Sequence, residues 1–171
     1  MNRRFSILSV SLGLHLCLTI CCAEPEDQKL KELQGRWHLV EGRSIDRLDP
    51  QQKVRVERYE SPEVELSFYG GKIGIFRRLE KGRIFNKPGP FAIEVDPSTA
   101  PMRCDYISYP IQPGNPKVLG VGICKVEGDT LYIAVANTPD DKVRPKNFEP
   151  VLFPNGIEVG IAVFKRVKMM P

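Results

Sequence analysis

Five cysteines and two histidines are the side chains best suited to metal or redox chemistry in this chain of 171 residues. Three of the cysteines, Cys17, Cys21 and Cys22, crowd into six positions just after His15, a set that could hold a soft metal or exchange disulfides. Such chemistry needs a folded scaffold, and the segment has the layout of an export leader instead. Arg3 and Arg4 are followed by an apolar run from Phe5 to Ile20, the small-residue pattern Cys21-Cys22-Ala23, and an acidic, proline-containing stretch. Cleavage after Ala23 would remove residues 1–23 as a signal peptide, discard all three cysteines and leave Glu24 first. Two alternatives rank below it. Acylation of Cys21 or Cys22 would anchor the protein to a membrane, but Ile20 or Cys21 would then precede the modified residue, where a small residue is usual. An uncleaved span is disfavoured by a short run interrupted by Ser9, Ser11, His15 and Thr19.

The mature chain then keeps two cysteines, Cys104 and Cys124, and one histidine, His38. An even pair in an exported chain invites a disulfide, and two buried thiols are the alternative. His38 neighbours Trp37 in a strand pattern, so an inward Trp37 sends His38 to the surface. With no second histidine, neither a metal site nor a triad is supported. The serines lack a G-x-S-x-G context, and "YGGK" is too short for a phosphate loop. Asp140-Asp141 lacks the further spaced oxygen ligands of a calcium site. Glu127 and Asp129 suit the backbone of a turn. The expectation is a protein without catalytic residues, metal or cofactor. The most motif-like loop is "RPKNFEP" (144–150), where Phe148 would plug a barrel end. Arg144 would pair with a carbonyl or carboxylate, or else grip a ligand. Arg144 is the leading candidate for a functional polar group.

Removing residues 1–23 leaves 148 residues, room for one domain, 24–171. The leader's only charges are Arg3 and Arg4, so 23 basic residues face 21 acidic ones, a net charge near +2. Basic and acidic residues alternate without a basic, aromatic-laced stripe, which argues against nucleic acid. The densest basic stretch, "FRRLEKGR" (76–83), reads as a solvated hairpin face.

The elements that must position these residues are strands. After a polar lead with a helical turn or two (24–34), nine segments rich in β-branched and aromatic residues run between Gly, Pro, Asn and Asp: 35–42, 53–59, 64–69, 72–79, 91–95, 103–109, 117–126, 130–136 and 156–167. Many short strands without helices between them predict an antiparallel sandwich or barrel. A two-residue turn at Gly70-Gly71 would set Phe68 opposite Ile73 and Leu66 opposite Ile75. A turn at Glu127-Gly128 would set Cys124 opposite Leu131. A turn within "QPGNP" (112–116), centred on Gly114, would place Cys104 directly opposite Cys124, near bridging distance.

The strings "LQGRW" (33–37), "VDPSTAP" (95–101), "GICKVEGDTLYIAVA" (122–136), "RPKNF" (144–148) and "VFKRV" (163–167) together resemble a lipocalin-like domain family of unknown function abundant in planctomycete bacteria. The resemblance implies a single up-and-down antiparallel barrel of about eight strands and an exported, periplasmic or extracellular protein; it brings no activity. Gly35-x-Trp37 is similar to the start of lipocalins, where a basic residue of the last strand lies against the tryptophan. Arg166 or Lys165 would take that part, a closure contact contributing about 0.5–2 kcal/mol. The chain departs from the pattern in a charged insertion, Arg43 to Tyr59, and in its cysteines at 104 and 124. The expected function is a non-catalytic module binding a small apolar or amphipathic ligand, walled by Trp37, Leu66, Phe68, Ile73, Tyr106 and Leu131. The competing expectation is an envelope-associated structural or protein-interaction module with a filled barrel, meeting a protein partner through its outer face.

Overall fold

The computed structural model describes residues 26–49, 51–60, 63–80, 83–84, 91–109 and 115–168. The leader, with Cys17, Cys21 and Cys22, and the turn centre at Gly114 lie outside them. One helix, α1 (Glu26–Leu33), precedes eleven strands: β1 (Gly35–Ile45), β2 (Val54–Arg58), β3 (Val64–Phe68), β4 (Ile73–Glu80), β5 (Arg83–Ile84), β6 (Phe91–Asp96), β7 (Met102–Ser108), β8 (Lys117–Glu127), β9 (Thr130–Ala136), β10 (Val151–Leu152) and β11 (Glu158–Arg166). Eight of them, in the order β1-β3-β4-β6-β7-β8-β9-β11, close into an antiparallel barrel through the pairing of β11 with β1. Strand β2 extends the sheet beyond β3 by pairing with the second half of β1. The expectation of an all-β barrel of about eight strands and a short N-terminal helix is met.

Strand β1 belongs to both ends of the barrel. Its first residues pair with β3 and its last with β2, while a bulge between Leu39 and Glu41 lets it stay paired with β11 throughout. The bulge changes the alternation, so Trp37 and Leu39 face inward before it and Gly42 and Ser44 after it.

Two apolar cores result. Inside the barrel, Trp37, Leu66, Phe68, Ile93, Val95, Met102, Leu131, Ile133 and Phe164 pack together, with Leu33 of α1 beneath them. Outside it, Val121, Ile123, Ala134, Ala136, Val159, Ile161 and Val163 are buried under Val143, Phe148, Phe153 and Ile157. The 137–157 connection thus lies against the outer wall of β8, β9 and β11. Those three strands read as nearly continuous apolar runs, "VLGVGIC", "LYIAVA" and "GIAVF", the pattern of strands covered on both faces. Each large side chain fully buried this way contributes about 1.5–3 kcal/mol.

Three predicted registers are corrected. Phe68 pairs with Gly74 and Leu66 with Phe76, so five residues, Tyr69 to Ile73, separate the innermost paired residues of β3 and β4. A one-residue slip exchanges the faces: Phe76 turns inward, while Ile73 pairs with Glu94 and is 41% exposed. The turn between β8 and β9 is Gly128-Asp129, two residues being left between the paired Glu127 and Thr130. That is a shift of two in register, so Cys124 keeps its inward face but meets Ile133. Cys104 pairs with Gly122 and Cys124 with Met102, which makes the cysteines diagonal neighbours rather than opposed ones. A bulge between Tyr106 and Ile107 takes up part of the difference. Both thiols are free and buried. Burial, then the hydrogen bond with Cys124, pushes the Cys104 thiol well above its ordinary range.

Candidate functional site

The barrel is shut at one end by the helix. Trp37 Nε1 donates to the Leu33 carbonyl at 2.8 Å, and the Arg166 guanidinium lies over the indole at 4.0 Å from the ring centroid. Arg166 also donates to the Gln34 carbonyl at 2.6 Å and to the Glu32 carbonyl at 2.5 Å. One arginine and one indole therefore satisfy carbonyls that the end of a helix leaves without partners. Gly35, at φ +110°, turns the chain from helix into strand. Gln34 accepts from the Gly70 amide at 2.6 Å, and Lys29 donates to the Pro97 and Thr99 carbonyls at 2.9 and 3.0 Å, fastening α1 to two neighbouring loops. Of the two basic residues expected against Trp37, Arg166 is the one there, and Lys165 turns outward to donate to Thr130 Oγ1 at 2.5 Å.

The other end is open and holds a cavity of about 470 Å³. Its lining changes in character around the barrel. Phe76 and Tyr106 form an aromatic wall, meeting edge to face at 5.8 Å, and Phe91 stacks on Tyr106 at 5.6 Å with the planes 21° apart. Phe164, Ile93 and Ile133 form the floor, and Gly42, Ser44, Gly160 and Ala162 the small-residue wall. Glu57 and Tyr59, at the end of β2, and Asn137, after β9, supply the polar rim. Tyr59 donates to Glu57 Oε2 at 3.2 Å, and Arg55 pairs with Glu57 Oε1 at 2.5 Å. Burial raises the Tyr106 hydroxyl above its ordinary value; burial and then the Glu57 hydrogen bond do the same for Tyr59. Both therefore remain hydrogen-bond donors at neutral pH.

No family model, curated protein or solved structure matches the chain. The site is thus described by its own residues. Of those predicted from sequence, Tyr106 lines the cavity, while Trp37, Leu66, Phe68 and Leu131 are buried below it in the closed half. Ile73 is on the outer wall.

Arg144 and Phe148 both lie away from the barrel mouth, although Arg144 does pair with carbonyls and carboxylates as expected. Arg144 sits outside the barrel, donating to the Cys104 and Gly122 carbonyls at 3.0 and 2.6 Å, to Asp105 at 2.7 Å and to Asp141 at 2.7 Å. Its burial pulls the guanidinium pKa down, but the hydrogen bonds to Asp105 and Asp141 outweigh this and leave it raised. The role is that of a clamp holding the 137–157 connection to β7 and β8. Phe148 packs edge to face on Tyr132 at 6.2 Å, with Lys125 Nζ 4.7 Å from its ring centroid, and plugs nothing. Asp140 and Asp141 serve the same connection: Asp140 accepts from the Lys142 amide, capping a single 3-10 turn, and Asp141 pairs with Arg103 and Arg144.

Sequence reasoning found only Tyr106 of the lining; among the residues it missed are Phe76, the floor residues Ile93, Ile133 and Phe164, the small-residue wall, and the rim pair Glu57 and Tyr59. Phe76 was hidden by the register slip. The rim pair lay in the insertion, whose alternation "RVERY" carries the signal once Val54, Val56 and Arg58 are seen to face outward. Among the described residues no group of three or more His, Cys, Asp or Glu side chains is placed to hold a metal ion. His38 lies on the outer wall, its Nε2 3.3 Å from the Glu65 carboxylate.

Proposed function

We propose that this protein is an exported, non-catalytic binding module that carries one small apolar or amphipathic molecule in the open half of its barrel. The observation that supports it is the cavity of about 470 Å³, closed below by α1 and the buried half of the barrel. Ligand sites commonly occupy about 300–1,000 Å³ and combine apolar walls with a few placed polar groups. Here the apolar lining is Phe76, Ile93, Tyr106 and Phe164, and the polar groups are Glu57, Tyr59 and Asn137. The export leader read in residues 1–23 and the resemblance to lipocalin-like chains support the same assignment.

The competing assignment, an interaction module with a filled barrel, is disfavoured by a cavity of this size. What favours it is the β1–β2 hairpin, where Leu48 is 94%, Val54 50% and Val56 47% exposed, and where β2 pairs only with β1 among the described residues.

The deciding measurement is a native mass spectrum of protein exported by its own host, followed by uptake of an apolar fluorescent dye such as Nile red. The expected result is the mass of Glu24 to Pro171 plus a small molecule lost on denaturation, and dye uptake once the cavity is emptied. A bare mass together with no dye uptake overturns the proposal, and a lipid retained on Cys21 or Cys22 replaces free export with membrane anchoring.

A further inference from the structure

We infer that the preferred occupant is a flat ring system bearing a hydroxyl or amine, rather than a flexible alkyl chain; this rests on the binding function proposed above. The argument is the shape of the cavity. In the circuit of eight strands, β1 is half-way round from β7, and β11 half-way round from β6. The small-residue wall of Gly42, Ser44, Gly160 and Ala162 therefore faces the wall that carries Tyr106 and Ile93. A wall of two glycines, a serine and an alanine, with Tyr59 packed over its Gly42 end, facing the wall that carries the Tyr106 ring leaves a slot.

Why Gly160 is glycine is informative. A Cβ built on Gly122 would stand 2.3 Å from the Ala134 carbonyl oxygen, and one on Gly74 2.5 Å from the Phe68 ring, so packing demands glycine at both. At Gly160 the nearest atom is the Arg43 carbonyl oxygen at 3.7 Å, an ordinary contact, and its φ is not among the positive ones. Neither the backbone nor its packing requires glycine there. The space it leaves belongs to the cavity.

The opposite wall is already set for stacking. Phe91, stacked on Tyr106, and Phe76, packed roughly perpendicular to it, hold that ring in place, so a flat ligand meets a surface that needs little reordering. At the rim the Glu57 carboxylate and the oxygen of the Asn137 side-chain amide can accept from a ligand hydroxyl or amine, while the Tyr59 hydroxyl is committed to Glu57 and the Arg43 guanidinium to Glu41.

The test is calorimetric titration of the exported protein with naphthol and with decanol, which share their carbon count and a single hydroxyl. Decanol exposes more flexible apolar surface, so burial alone favours it. The slot predicts naphthol binding about tenfold more tightly. It also predicts that Gly160→Leu, which adds a side chain into open space, weakens naphthol binding at least about tenfold with the thermal midpoint unchanged. Decanol binding as tightly as naphthol overturns the slot and leaves the binding module standing. So does uptake of Nile red with neither alcohol bound. Failure of all three ligands overturns both, and naphthol binding unchanged in Gly160→Leu overturns its placement against that wall.

Discussion

Glu65 shows how far a residue's surroundings can depart from what its strand pattern suggests. In "VELSF" it alternates outward, yet its side chain is closed off by Arg36, at 2.6 and 2.8 Å, by Ser67 at 3.0 Å and by His38 at 3.3 Å. Burial alone would raise this carboxyl, but the hydrogen bonds from Arg36 and Ser67 prevail and hold it below its ordinary 4.5. A depressed carboxyl binds its proton less tightly folded than unfolded, so its stabilisation is present above about pH 4.5 and lost as pH falls through the folded value. Glu65→Gln should therefore cost about 1–3 kcal/mol at neutral pH, and urea unfolding across a pH series should show the gap to wild type closing below that point. A gap that stays constant into acid would mean that ionisation of Glu65 contributes nothing. Nothing in the sequence places Arg36, Ser67 and His38 around one carboxylate, because they meet only when β1 pairs with β3. Tyr106, in contrast, was legible as a wall residue, since its strand alternates plainly between Met102, Cys104 and Tyr106 facing inward and the charged Arg103 and Asp105 between them.

At the scale of elements, the strands and their barrel class were legible, and their registers were not. Every one of the nine segments rich in β-branched residues is a strand, because pattern and turn residues act locally. Register depends on how many residues a connection spends, and all three connections whose register was predicted were misjudged. At "YGGK" the loop is longer than the two glycines imply, which reversed the assignment of Phe76 and Ile73; at "VEGDT" the shift was even, and faces survived. The helix was legible only as a turn or two, although its role as a stopper depends on Trp37 and Arg166 from strands at opposite ends of the chain. Arg166→Leu should lower stability by about 2–4 kcal/mol, combining a cation–π contact with two charge-assisted bonds to helix carbonyls. Hydrogen exchange should accelerate first in residues 26–34, ahead of β8 and β9. An equal change everywhere would show that Arg166 supports the barrel as a whole and leaves α1 no less docked than before.

For the whole molecule, the decisive feature is that one set of strands serves two cores. In β9, Leu131, Ile133 and Val135 face the interior while Tyr132, Ala134 and Ala136 face the 137–157 connection. The cavity lies on one side of that wall, and Arg144 with Phe148 lies on the other. Ligand affinity and outer packing are thus separable in effect but not in folding, since neither core persists once β8, β9 and β11 come apart. Phe148→Ala should cost about 1–3 kcal/mol, less than a fully buried phenylalanine because the ring is half-covered, and leave Nile red affinity unchanged. Trp37, the single tryptophan, reports on the interior by fluorescence, while proteolysis within 137–157 reports on the outer layer. In wild type and variant alike the two probes should follow one transition in urea, as expected when a shared wall couples both layers. Cleavage of the connection at denaturant concentrations that leave Trp37 undisturbed would mean that the outer layer unfolds by itself, and that Arg144 secures a detachable flap rather than half of a common core.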